Sequence, residues 1–547
     1  MQPIAGAGER APTKPVRGPH EFALVRGQFP GLGSGFIFKI DIRQAPFDIS
    51  SMSDVHPILI GGRWVEAHSK NKIEVRNPAT LELLNTVPQC DAEDVNAAVL
   101  AARKAQRDWD KTPGLDKAAM LHEIARRIRA TEKELSTLMC RETGKPIWEA
   151  IDCIEWVAAC FDYYAEVGRS SRGQSLPPVA RHQVNFTIKE PYGVVAAIAP
   201  FNFPLLLMSW KVAPAIMAGN TVVCKPPHQN PLSNLLMAEA YAVLPPGVVN
   251  VITGASETGS ALVEHPDIDL IAFTGSTKVG RQIASRAGAQ LKKVNLELGG
   301  VDPFIVFEDA DLDVAVPGVA WARLLNSGQV CTSSKRIYLV KPIADEFTRR
   351  LKEHVATLKM GDPQREDVDI GPLISKEALE KIEQQVKQAL SEGAQLVFGG
   401  RRVCPDNLPG YFFEPTILTN VRHGGVCTSE EVFGPVISIT EVRDADEAIE
   451  RANDSAYGLG ANIYTRSLEY ALRAMENIKA GTFWVNDPLT DNDAGPFGGM
   501  RASGMGRELG EEGLDAFREP KHVHIDYVME KKTYWYPYAA RKRSHGG

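Results

Sequence analysis

The chain has 547 residues, 44% of them hydrophobic and 24% charged. That is several ordinary domains long and close to the average soluble globular composition, which excludes collagen, a coiled coil and wholesale disorder. With 68 acidic residues against 61 basic ones, no basic face is implied and nucleic acid is not an expected partner.

In chain order, residues 1–51 mix Gly, Pro and Arg without periodicity and lack the apolar run of a signal peptide. They are expected to be a disordered N-terminal extension, either a targeting tail or a dispensable one, with Met52 offering a second start. A hairpin is predicted over 58–65 around Gly61-Gly62, followed by helices from about Ala92, over 118–138 and over 146–165. Residues 172–191 interleave polar and apolar residues like an extended excursion. Strands over 194–198, 221–225, 248–252 and 270–273 then alternate with helices over 205–217, 232–244 and 259–265. This rhythm implies a parallel sheet covered on both faces, which binds ligands beyond the carboxyl ends of its strands. A second α/β series runs from about Phe304 to Gly510. The apolar stretch 194–224 is interrupted by Pro200, Asn202, Pro204, Lys211, Pro214 and Asn220, so no membrane span is expected. The eight cysteines form no CxxC pair and no zinc spacing, which suits a reducing, cytoplasmic setting and no metal.

Five segments carry chemistry. Asn326-Ser327-Gly328-Gln329-Val330-Cys331-Thr332-Ser333 sets a thiol among small and polar residues, although a lone cysteine is more often a buried hydrophobe. Leu296-Glu297-Leu298-Gly299-Gly300 places a carboxylate in an apolar run, which is costly without a role or a partner. Pro200-Phe201-Asn202-Phe203-Pro204 holds an amide in a proline-bracketed turn after a strand, and Cys224-Lys225-Pro226-Pro227 ends the next strand on a lysine. Thr274-Gly275-Ser276-Thr277-Lys278-Val279-Gly280 enters a helix through a glycine turn whose free N–H groups suit a phosphate.

Together, in this order and spacing, the five resemble the aldehyde dehydrogenase superfamily. The likeness continues through Glu430-Glu431-Val432-Phe433-Gly434-Pro435 and Pro496-Phe497-Gly498-Gly499 to Ser503-Gly504-Met505-Gly506-Arg507-Glu508, covering about 58–538. The resemblance implies an α/β fold of two parallel-sheet domains plus a small β oligomerisation arm. It assigns 54–171 and 192–299 to a cofactor-binding domain, 300–517 to a catalytic domain, and 172–191 with 518–540 to the arm. A homodimer or homotetramer is therefore expected.

The resemblance also implies roles. Cys331 would attack the aldehyde as thiolate, with the oxyanion held by the Asn202 amide and the Cys331 N–H. Hydride would pass to NAD, and Glu297 would activate water against the thioester. Relatives that transfer the acyl group to coenzyme A typically lack this glutamate, so a free acid is the expected product. Gly275 and Ser276 would meet the pyrophosphate, Lys225 the adenosine ribose, Glu431 and Phe433 the nicotinamide side. His228 stands where many NAD-preferring members carry a glutamate, which leaves NADP open as the cofactor. Trp156, Phe203, Trp210, Asp491 and Phe497 are expected to line the aldehyde tunnel. The acidic run Asp487 to Asp493 suggests amino or trimethylammonio aldehydes. A broad-specificity aldehyde or semialdehyde substrate is the alternative, disfavoured for distal carboxylates because no arginine stands beside Cys331, Lys335 and Arg336 following it by a helical turn. An esterase and a catalytically dead relative are the rivals; the second should lack Cys331 or Glu297, and both are present.

Overall fold

The computed structural model describes residues 55–170, 173–532 and 534–538; the expected extension 1–51 lies outside them. The helix Ala92–Trp109 starts where Asp91 caps the amides of Glu93 and Asp94, and Asp94 returns a bond to the Asp91 amide. The helix expected over 118–138 is two helices, Gly114–Ala130 and Glu132–Thr143. Thr131 leaves helical geometry between them while its hydroxyl donates back to the Arg127 and Ile128 carbonyls, a local bond that competes with the helix. The second helix stops at Gly144, whose φ of 80° is left-handed. Likewise the helix expected over 232–244 is α-helical only at Leu232–Met237 and continues as a 3₁₀ turn over Ala238–Val243.

An eight-stranded sheet runs in the order Gly504–Met505, Lys293–Glu297, Leu270–Thr274, Val194–Ile198, Thr221–Lys225, Val249–Val251, Ile58–Ile60, Arg63–Val65. Its five inner strands are parallel, and the hairpin 58–65 and the short 504–505 strand close its edges antiparallel. Val194–Ile198 and Thr221–Lys225 are buried on both faces, as central parallel strands must be. The strand order reverses at Val194–Ile198: the chain moves to 221–225 on one side and returns later to 270–274 on the other. Such a switch point leaves a crevice beyond the carboxyl ends. The turns carrying Asn202, Lys225 and Gly275 all leave those ends.

Residues 298–301 carry the chain into a second sheet, ordered Gln395–Phe398, Thr416–Thr419, Val436–Val442, Ser334–Val340, Asp302–Val306, Gly460–Tyr464, Thr482–Val485. All its pairs are parallel except the first. The excursion forms Ser175–Leu176 and Gln183–Pro191, and the latter pairs antiparallel with Arg518–Asp526 from Arg518↔Pro191 to Asp526↔Gln183.

Asn220 ties these parts together. Its Oδ1 accepts from the Gly193 amide at 2.8 Å, and its Nδ2 donates to the Ala215 and Phe517 carbonyls at 3.1 and 2.8 Å. Asn220→Ala should strand the buried Gly193 and Phe517 groups at about 1–3 kcal/mol each, and lower the Tm in a thermal-shift measurement. An unchanged Tm would contradict this reading.

Candidate active site

The loop before Cys331 is strained. Asn326, Ser327 and Gly328 follow one another in left-handed geometry, with φ of 49°, 55° and 75°, costing about 1–2 kcal/mol at each non-glycine. Gly328 has no substitute, because a Cβ there would sit 2.2 Å from the Gly434 carbonyl oxygen. The strain is held by named contacts. The Glu149 carboxylate accepts from the Asn326 amide at 2.9 Å, and Ser327 Oγ donates to the Gly371 carbonyl at 2.8 Å. Burial raises the Glu149 carboxyl to about 7. Beneath the loop lies the wholly buried Arg323, donating to the carbonyls of Val432, Val436 and Gly328 and to Ser333 Oγ.

Cys331 remains partly exposed. Burial, then the neighbouring Glu297 charge, push its thiol well above the usual range, while Lys335 pulls it back. Glu297 ends the strand Lys293–Glu297, in register with Thr274 and Gly504. Its carboxyl is raised well above normal, by burial first and by Glu508 second; Lys211 and the Cys331 side chain oppose this. Neither Glu297 oxygen has a well-formed hydrogen bond among the described residues, so the Cys331 contact is a close approach rather than an anchored bond.

Asn202 is buried, and its carbonyl accepts from Asn326 Nδ2 at 3.0 Å. That bond couples it to the nucleophile loop, while its own side-chain amide stays free of protein partners among the described residues. The Cys331 amide is likewise uncommitted. These two amides are the donors that the sequence reading offers to a developing oxyanion.

Behind Glu297, Lys211 is buried in the helix Pro204–Ala218 and donates to Glu508 Oε1 at 2.7 Å and Thr274 Oγ1 at 2.6 Å. Glu508 Oε2 is buried without a hydrogen-bond partner among the described residues. Sequence reasoning missed Lys211, Glu508, Arg323 and Glu149 as site residues. The available signal was a charge inside an apolar helical run, which Lys211 and Arg323 both show. Lys335 and Arg336 lie not on a helical turn but on the buried strand Ser334–Val340. Arg336 faces the Val301, Arg451 and Ala452 carbonyls.

A cleft of about 370 Å³ opens at the strand switch, lined in part by Phe201, Lys225, His228, Gly275 and Arg286. The Gly275 amide is taken by the Glu297 carbonyl at 3.1 Å, so the N–H groups left for an anion are those of Ser276, Thr277 and Lys278. Ser276 caps the helix Thr277–Ala289. Lys225 Nζ donates to the Pro226 and Gly254 carbonyls, leaving one proton over, and burial lowers its pKa to about 8. His228 sits at the rim; partial burial and then Lys225 lower its pKa, which keeps the imidazole neutral at pH 7. Glu431 accepts from the Gly300 amide at 3.2 Å, and Phe433 packs edge-on against Phe201 at 5.9 Å.

The expected tunnel residues fall into groups. Trp156 and Asp491 line a cavity of about 500 Å³ with Trp484, Asp487 and Asp493. Burial, then Asp493, raise Asp491 to about 7. Trp210 and Phe497 instead pack on each other at 5.0 Å, and Phe203 lies under the Lys145 ammonium at 3.6 Å. Among the described residues, no group of three or more His, Cys, Asp or Glu side chains is placed to hold a metal ion.

The profile of the aldehyde dehydrogenase family matches residues 64–523. Betaine aldehyde dehydrogenase 1 of Oryza sativa subsp. japonica is 41% identical over 491 residues, 88% of this chain and 97% of its own. Aminoaldehyde dehydrogenase 1, peroxisomal, of Malus domestica is 40% identical with the same coverage. The crystal structure of betaine aldehyde dehydrogenase from Staphylococcus aureus in complex with NAD+ superposes with a TM-score of 0.85 at 34% identity, over 89% of this chain and 98% of that one. The fold, the ends of its strands and these likenesses agree: the chain is a member of the aldehyde dehydrogenase family.

Proposed function

We propose that this enzyme oxidises amino or trimethylammonio aldehydes to carboxylic acids, with NAD or NADP as hydride acceptor. The observation that carries the substrate class is the cavity walled by Trp156, Trp484, Asp487, Asp491 and Asp493, since aromatic faces and carboxylates both favour a cation. The relatives named for aminoaldehydes and betaine aldehyde support it.

The cleft residues suit a dinucleotide. The Ser276, Thr277 and Lys278 amides would take its phosphates, the spare Lys225 proton a ribose hydroxyl, and Glu431 with Phe433 the nicotinamide half. When bound, that cofactor supplies the hydride acceptor. The chain does the rest. Glu297 accepts the thiol proton, and Cys331 Sγ bonds to the aldehyde carbon to give a thiohemiacetal whose oxygen is held by the Asn202 amide and the Cys331 N–H. After oxidation to the thioester, and once Glu297 has passed the thiol proton to solvent, it takes a proton from water, the hydroxide adds to the acyl carbon, and the C–S bond breaks to release the acid and return the Cys331 thiolate. Burial, which raises the Glu297 carboxyl well above the usual range, makes it a stronger base than an exposed glutamate.

Assembly as a dimer or dimer of dimers through the 183–191 and 518–526 sheet is supported by its exposed Val184, Ile188 and Ile525. A cytoplasmic setting is supported by cysteines that are all unpaired.

Cys331→Ala should abolish aldehyde-dependent cofactor reduction; retained turnover would remove it as nucleophile. Glu297→Gln should give a burst of reduced cofactor followed by slow acid release in a stopped-flow trace, and an unaltered steady state would contradict the base assignment. Betaine aldehyde should exceed hexanal in kcat/KM. Asp491→Asn should lower the betaine aldehyde value roughly tenfold, as loss of ~1.4 kcal/mol of charge attraction would; a preference for hexanal in the wild type would sink the substrate reading. Because Asp491 is neutral below about 7 and ionised above it, KM for betaine aldehyde should fall as pH rises through neutrality, while that for hexanal should not follow. His228→Glu should weaken NADP binding more than NAD binding in a titration of cofactor fluorescence, through repulsion of the 2′-phosphate.

A further inference from the structure

Lys335 has no part in the chemistry above, yet its surroundings point at Cys331. The strand Ser334–Val340 is buried throughout, and an ammonium there loses its hydration unless strong partners replace it. Its Nζ donates to the carbonyls of Val330, Cys331 and Ser333 at 2.9, 2.5 and 3.3 Å. It also lies 3.8 Å from Glu431 Oε1, on the carboxylate read here as a cofactor ligand.

The charges facing the thiol are unequal in sign. Glu297 from its strand end, Asp302 from the neighbouring strand and Glu431 from its loop all disfavour a thiolate; Lys335 is the cation that opposes them. Lys335 is itself faced by Glu431 and Asp302, which hold its proton, and by Arg323, which repels it; burial lowers its pKa. A strut needing only carbonyl partners would not require a full charge between the nucleophile and Glu431.

We propose that Lys335 is a positioning residue for the nucleophile: it pins the Cys331 carbonyl, provides the cation that stabilises the thiolate, and shares that charge with Glu431. The inference rests on the reading of Cys331 as nucleophile. Removing the cation should make the thiol harder to ionise, and removing the Glu431 carboxylate should make it easier, because Lys335 is then less neutralised.

The test is the rate at which iodoacetamide alkylates Cys331, followed by peptide mass spectrometry as a function of pH, since only the thiolate reacts. Lys335→Met should move the labelling midpoint up by about one pH unit, a roughly tenfold slower reaction below the midpoint. Lys335→Arg should stay near wild type, and Glu431→Gln should move the midpoint down. A Lys335→Met profile that overlays the wild type despite a lower Tm would reduce Lys335 to a structural strut. If that variant does not fold, Lys335→Gln, which keeps an N–H donor for the carbonyls without the charge, decides: a midpoint that overlays the wild type overturns the proposal. Failure of the nucleophile assignment would show separately, as turnover retained by Cys331→Ala.

Discussion

The reaction centre depends on one arrangement: carbonyls of the loop before and around Cys331, and of the 432–436 segment packed on it, are turned onto two buried cations. Arg323 takes Gly328, Val432 and Val436, and Lys335 takes Val330, Cys331 and Ser333. Charge-assisted bonds of this kind contribute about 1.5–3 kcal/mol each, enough to hold two consecutive non-glycine residues in left-handed geometry. With its carbonyls occupied, the loop leaves the Cys331 amide free. The same loop reaches Asn202 through Asn326, so the thiol and the two donors proposed for the oxyanion belong to one hydrogen-bonded unit.

Around that unit the protein buries carboxylates that burial itself keeps close to neutral. Glu149, Asp302 and Glu142 are each raised to about 7, and burial also raises Glu297 well above the usual carboxylate range. Glu142 and Glu149 are fixed by backbone amides, whereas Glu297 has no well-formed partner among the described residues. A carboxyl anchored by amides is structural; one left unanchored beside a thiol can move a proton. The Lys211–Glu508 pair behind it fixes the field that Glu297 feels without bonding to it.

The family motifs and the parallel strands were legible because each is a local pattern. Val194–Ile198 and Thr221–Lys225 are fully buried and read as unbroken apolar runs, and Cys331, Glu297 and Asn202 each sit in a short, distinctive string. The break at Thr131 was not legible, since helical spacing of Ile124, Ile128 and Leu135 persists across it while a single hydroxyl diverts the backbone. Lys335 and Arg336 were read at a helical turn after Cys331, whereas they lie on the buried strand Ser334–Val340, where the Arg336 charge is met by carbonyls from remote segments.

Motif order thus determined by itself the fold class and the family, and named the side chains proposed for the chemistry, because those are properties of short strings and their spacing. Tertiary structure alone decided the rest. It placed Lys211 against Glu508, 297 residues apart in the chain, set Lys335 between Cys331 and Glu431, and raised Asp491 by burying it near Asp493. Those are matters of distance and desolvation, which depend on how strands register and which faces meet, and no local window of sequence contains them.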